Sequence, residues 1–204
     1  MLTEVERYFT RGDGDYVFAR WARPIVPVIF GVAEESLGVF KGAIEAVVAL
    51  AGHRMAETDP EMGANLMIFV CRDWAELREV PDLAGLIPDL DGLVGRLEEQ
   101  DANQYRVFRF EETGAIRAAF VFLRMDAALS EVPADALALS QAVQVMLLWS
   151  DTAFREMPPL AAVEGKIMLR PEVADLIRAA YDPVMPVAAR DASHALRLAA
   201  RAGA

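Results

Sequence analysis

The stretch ANLMIFVC, residues 64–71, constrains this chain more than any other. It has the length of a β-strand, yet its apolar character is nearly continuous instead of alternating. A strand of that kind needs cover on both of its faces. The fold must therefore place packing layers on either side of a sheet. Composition supplies the material, since hydrophobic residues make up 54% of 204 and mean hydropathy is +0.23. No apolar run approaches the roughly 18–20 residues needed to cross a bilayer.

The remaining segments read as elements around that strand. LTEVERYF suggests a short opening helix, with Thr3 as its N-cap and Glu6 completing a capping box. YVFARWARPIVPVIFG is extended, and its prolines favour an edge or bent strand. From Glu34 to Ala51, Leu37, Phe40, Ile44, Val47, Val48 and Ala51 form one helical stripe. Val39, Ala43, Ala46 and Leu50 form a second, which predicts cover on more than one side. Gly38 and Gly42 predict the close approach of another element, and Gly52 is a natural stop.

Two short helices follow in RDWAELREV and DLDGLVGRLEEQ, the latter starting near Asp89 or Asp91. QYRVFRFEETGAIRAAFVFLRM then makes a hairpin with Gly114 in its turn. ADALALSQAVQVMLLWSD, residues 134–151, reads as one apolar helix. DTAFREMPPLAAVEGKIML is expected to be an irregular connector. RPEVADLIRAAYDP is a helix with Pro171 in its first turn and Pro183 beyond its end. ARDASHALRLAARAG is a terminal Ala/Arg helix. The order predicts a single α+β domain over 1–204, a small mixed sheet with helices packed against it. Residues 1–15 form an N-terminal helix and turn, and 190–204 form the terminal helix.

Charge and residue inventory narrow the function classes. Twenty basic and 31 acidic residues give −11, which disfavours nucleic acid and anionic membrane as partners. The opening residues lack the pattern of a signal peptide, so the expected compartment is the cytoplasm. One cysteine, Cys71, permits no internal disulfide, and its strand context predicts an inert core thiol.

RGD at 11–13 reads as a turn, and the paired acids of GDGD and PDLDG do not continue as calcium loops. His53 and His194 show no zinc spacing. Ser36, Ser140 and Ser150 lack the glycine-flanked elbow of a serine nucleophile. GVAEESLG has neither Walker nor Rossmann spacing, so neither a metal nor a cofactor is expected.

Two polar sets remain. Arg190, His194, Arg197 and Arg201 are spaced to share one helical face. That face is either a stripe that binds an anion or nucleic acid, or a solvated surface favoured by the helix dipole. On the 134–151 helix, Gln141 and Gln144 sit among apolar residues. They are expected either to pair with backbone groups or to form the polar floor of a pocket, with Asp151 beside them.

ARWARPIVPVIFG, GANLMIFV, IRAAFVFL, the 134–151 helix and AAYDPVM follow one another in order across residues 16–200. In this succession the chain resembles a bacterial domain-of-unknown-function family grouped by fold with zincin-type metallopeptidases. The resemblance implies a zincin-like scaffold. In that family the helix carries two adjacent glutamates, a glutamine, a glycine and an aspartate. Here Gln144 and Asp151 keep the glutamine and the aspartate. Ser140 and Gln141 stand at the acidic positions, and Leu147 stands at the glycine.

The helix thus resembles a peptidase helix whose acids have been replaced, without a metal site. The expected role is a non-catalytic binding or interaction protein, with another protein or a second copy as partner. The alternative is a hydrolase using loop carboxylates in a cleft lined by Gln144 and Asp151.

Overall fold

A computed structural model describes residues 4–203. The chain is an α+β fold, running α1 (Glu4–Arg7), β1 (Phe18–Ala19), β2 (Pro27–Phe30), α2 (Glu34–Leu50) and β3 (Leu66–Cys71). A 3₁₀ segment, Trp74–Glu79, leads into α3 (Leu83–Leu86) and α4 (Leu90–Glu99). The hairpin β4 (Gln104–Phe110) and β5 (Ile116–Arg124) precedes α5 (Ala127–Ser130) and α6 (Ala134–Met146). Then come β6 (Leu160–Val163), β7 (Lys166–Leu169), α7 (Pro171–Ala180), β8 (Ala188–Ala189) and α8 (Ser193–Ala202).

The main sheet has the order β2-β3-β5-β4, parallel except for β4. Its inner strands explain their own composition. Leu66 and Ile68 of β3, with Ala119, Val121 and Leu123 of β5, face a core shared with α2, α6, α7 and α8. Met67, Phe69 and Cys71, with Phe120 and Phe122, face a second core under α3 and α4. Both faces are therefore covered, as the apolar run of β3 requires. The proline-bearing β2 lies at one edge, with Pro27 as its first residue. Cys71 is buried, which pushes its thiol up to about 12.

Several expectations are corrected. The second stripe of α2 is only partly covered, and Gly38 and Gly42 are exposed, with nothing among the described residues within 4 Å of a would-be Cβ. The 151–169 connector contains the β6–β7 hairpin, turned by Glu164 (φ 51) and Gly165 (φ 78). Arg190 precedes α8 instead of lying on it. The proposed Thr3 cap lies outside the described residues.

The helix expected over 134–151 stops at Met146, because three side chains take its terminal carbonyls. Trp21 Nε1 donates to Val145 O at 2.8 Å, Tyr181 Oη to Met146 O at 2.9 Å, and Trp149 Nε1 to Val143 O at 3.0 Å. A helix end leaves its last carbonyls without intrahelical donors, and these indole and phenol groups replace them. Leu147 then turns extended and bridges Arg20, while Leu148 N donates to Ala19 O and Ser150 N to Tyr8 O. Leu148 and Asp151 are thus carried off the helix that the sequence assigns them to.

Candidate functional site

The segment leaving α6 faces β4 across a cleft of about 650 Å³. Strand alternation puts Gln104, Arg106 and Phe108 on the face of β4 that meets α6. On α6, Gln141 is 1% exposed, so its amide must find partners within the protein. Arg106 Nη2 donates to Gln141 Oε1 at 2.5 Å and to Gln104 Oε1 at 3.3 Å. Gln141 Nε2 donates to the same Gln104 oxygen at 2.8 Å. Gln141 is therefore satisfied by side chains, not by the backbone groups expected. Gln144 donates to Ser140 Oγ at 2.9 Å and lines the cleft.

Arg106 is the unusual member. It is largely buried, has no carboxylate partner among the described residues, and its Nε is buried without an acceptor. Burial pushes its guanidinium down to about 10, so it still carries its charge at neutral pH. At position 141 it meets an amide, not a carboxylate.

Asp151 lies at the rim, exposed, accepting from Gly12 N at 3.0 Å and pairing with Arg155 at 3.2 Å. This contact fastens the 11–13 stretch, a turn as expected, against the far wall. Arg11 enters the cleft from that turn and has no acidic partner among the described residues. Trp149 closes the wall, stacked on Phe9 at 5.5 Å and flanked by Phe154 at 5.0 Å. Tyr105 and Phe110 lie exposed along β4, which is an edge strand. The structure thus brings Gln144 and Asp151 into one cleft, and Gln141 into contact with its floor through Arg106. Sequence reasoning missed Arg106, Gln104 and Arg11.

The Arg stripe of the last helix is not assembled. His194 is 4% exposed and turns inward, sharing a 2.7 Å hydrogen bond with Tyr16. Burial pulls its imidazole down to about 4, and nearby Arg197 adds to the effect. Arg201 pairs with Asp182 at 3.3 Å, and Arg197 donates to Val184 O. His53 is part-buried and donates from Nε2 to Arg23 O at 2.9 Å. The two histidines share no partner, and no group of three or more His, Cys, Asp or Glu could hold a metal ion among the described residues.

A separate polar cluster serves the fold. Asp59, 5% exposed, accepts from Glu61 N, Met62 N, Asn65 Nδ2 and Arg23 Nη1. Burial raises its carboxyl, but those four donors outweigh burial and hold it at about 2. Asn65 in turn accepts from Val26 N and donates to Pro24 O, locking β2 beside β3.

No helix among the described residues is long and apolar enough to cross a membrane. Comparison with family models, curated proteins and solved structures finds no match.

Proposed function

We propose that the chain is a non-catalytic binding protein whose ligand or partner occupies the cleft between β4 and the segment after α6. The lining of that cleft carries the reading. Arg11, Arg106 and Arg155 converge there with aromatic rings, against the single carboxylate of Asp151 among the described residues. That carboxylate is engaged by Gly12 and Arg155, and among the described residues neither a second carboxylate nor a histidine lines the cleft beside it. Hydrolysis by carboxylates needs two groups with separated acid and base roles. The likeness to the zincin-grouped bacterial family supports the same reading, with Ser140 and Gln141 in place of its helical acids. The cytoplasm is the compartment that fits it.

A second copy, or another protein, is favoured as partner by the β6–β7 hairpin, which exposes Val163, Ile167 and Met168. Elemental analysis of the purified, untagged protein, with native mass from the same sample, tests the proposal. Substoichiometric metal with a discrete, concentration-dependent dimer is expected. Stoichiometric zinc or another transition metal would overturn the non-catalytic reading.

A further inference from the structure

We propose that this cleft is a site for a small oxyanion, a carboxylate or a phosphate, carried on an aromatic or apolar body. The inference rests on the binding reading above and names its ligand chemistry.

Four observations carry it. First, Arg106 is held in one orientation by two amide oxygens that accept from the same nitrogen, Nη2. Gln104 and Gln141 are themselves hydrogen-bonded to each other, so the clamp is preorganised before any ligand arrives. Nη1 makes no hydrogen bond within the described residues, which leaves a donor edge for an incoming acceptor. Second, a largely buried cation without an acidic partner is costly, and an arriving oxyanion supplies the missing counter-charge in a partly desolvated place.

Third, the charge of the lining opposes that of the molecule. Arg155 is paired with Asp151, which leaves Arg11 and Arg106 as cations without an acidic partner among the described residues, on a chain whose net charge is −11. Such a local reversal steers an anion to the cleft and away from the rest of the surface. Fourth, Trp149 and Phe154 offer ring surface on the wall after α6, and Phe110 offers it at the exposed edge. A volume of about 650 Å³ suits a small ligand.

Trp149 is also a built-in reporter. Trp21 and Trp74 are fully buried, so acrylamide reaches Trp149 first among the three tryptophans. The experiment titrates the full chain with phenyl phosphate, phenylacetate and neutral phenylacetamide, reading the protection of Trp149 fluorescence from acrylamide. At least one anion is expected to bind roughly tenfold or more tighter than the amide, the ratio of a charge-assisted to a neutral contact. Whichever anion saturates at lower concentration identifies the headgroup. Arg106→Met and, independently, Arg11→Gln are expected to erase or reduce that preference, whereas Arg190→Gln leaves it intact.

Equal binding of anion and amide would overturn the oxyanion assignment while leaving a binding cleft. Protection by none of the probes would overturn the assignment as well, with the metal and mass measurement still deciding the broader reading. A preference that survives both Arg106→Met and Arg11→Gln would place the anion elsewhere and overturn it too.

Discussion

Replacing Gln141 by leucine tests whether the floor of the cleft is a polar clamp or merely filled core. Leucine matches the volume closely, and on apolar grounds alone a fully buried Gln→Leu change would be neutral or mildly stabilising. The geometry predicts the opposite sign. The change removes the 2.5 Å acceptor of a buried guanidinium and the 2.8 Å bond to Gln104.

A hydrogen bond to a charged group contributes about 1.5–3 kcal/mol, and Gln104 still accepts from Arg106, so the loss falls near 2 kcal/mol. For a chain of this size that is a drop of roughly 4–8 °C in Tm. Arg106→Met alone leaves Gln104 and Gln141 bonded to each other but strips Gln141 Oε1 of its donor, and is expected to cost about 1 kcal/mol. The double variant removes the buried cation together with its acceptor, and should recover most of the Gln141→Leu loss. Urea unfolding of the four proteins, with unchanged slopes, measures a coupling of about 1–2 kcal/mol. Wild-type stability or better in Gln141→Leu would show that Arg106 is compensated elsewhere, and the preorganised clamp would fall.

Three further outcomes are expected. The unfolded His194 imidazole takes its proton near 6.5, and the folded one resists until about 4. The unfolded state therefore binds more protons between those values, so stability is complete above pH 6.5 and falls by on the order of 3 kcal/mol as pH drops toward 4. Urea midpoints across that range should lose this slope in His194→Gln, and an unchanged slope would assign it to other groups. Gly38→Ala and Gly42→Ala, on the open face of α2, should each stabilise by about 0.5–1 kcal/mol; a lower urea midpoint would reveal a packed neighbour. Gly31→Ala should destabilise by more than about 3 kcal/mol, because φ is +79° and its Cβ would lie 1.8 Å from the Val70 carbonyl oxygen; wild-type Tm would contradict the sheet geometry there.

Periodic features were legible from local sequence. The apolar run of β3 required two covering layers, and the stripe on α2 and the proline-started α7 announced themselves by spacing. What failed was set by partners far away in the chain. α6 ends five residues short of its apolar pattern because Trp21 and Tyr181, from distant segments, join Trp149 in taking its last carbonyls. The β6–β7 hairpin had a local signal, a Glu-Gly pair between LAAV and KIML, obscured by the two prolines just before it. At the site, Gln144 and Asp151 were recognisable, but Arg106 was not. Its one sequence clue was alternation, which places Gln104, Arg106 and Phe108 on a shared face of β4. A buried glutamine on an apolar helix demands a donor, yet nothing local shows that the donor comes from a strand some 35 positions away.

The amide at position 141 of α6 and the presence of Arg106 belong to one electrostatic arrangement. A carboxylate at position 141 would meet the guanidinium directly and neutralise it, leaving the cleft floor without free charge. An amide at 141 does the reverse. It accepts a hydrogen bond, fixes the orientation of the cation, and leaves its charge unspent. Gln141→Glu separates these roles: the carboxylate should close an internal ion pair with Arg106 and weaken phenyl phosphate or phenylacetate binding about tenfold without loss of fold. Anion binding undiminished in that variant would mean that Arg106 is structural and that the ligand rests on Arg11 alone.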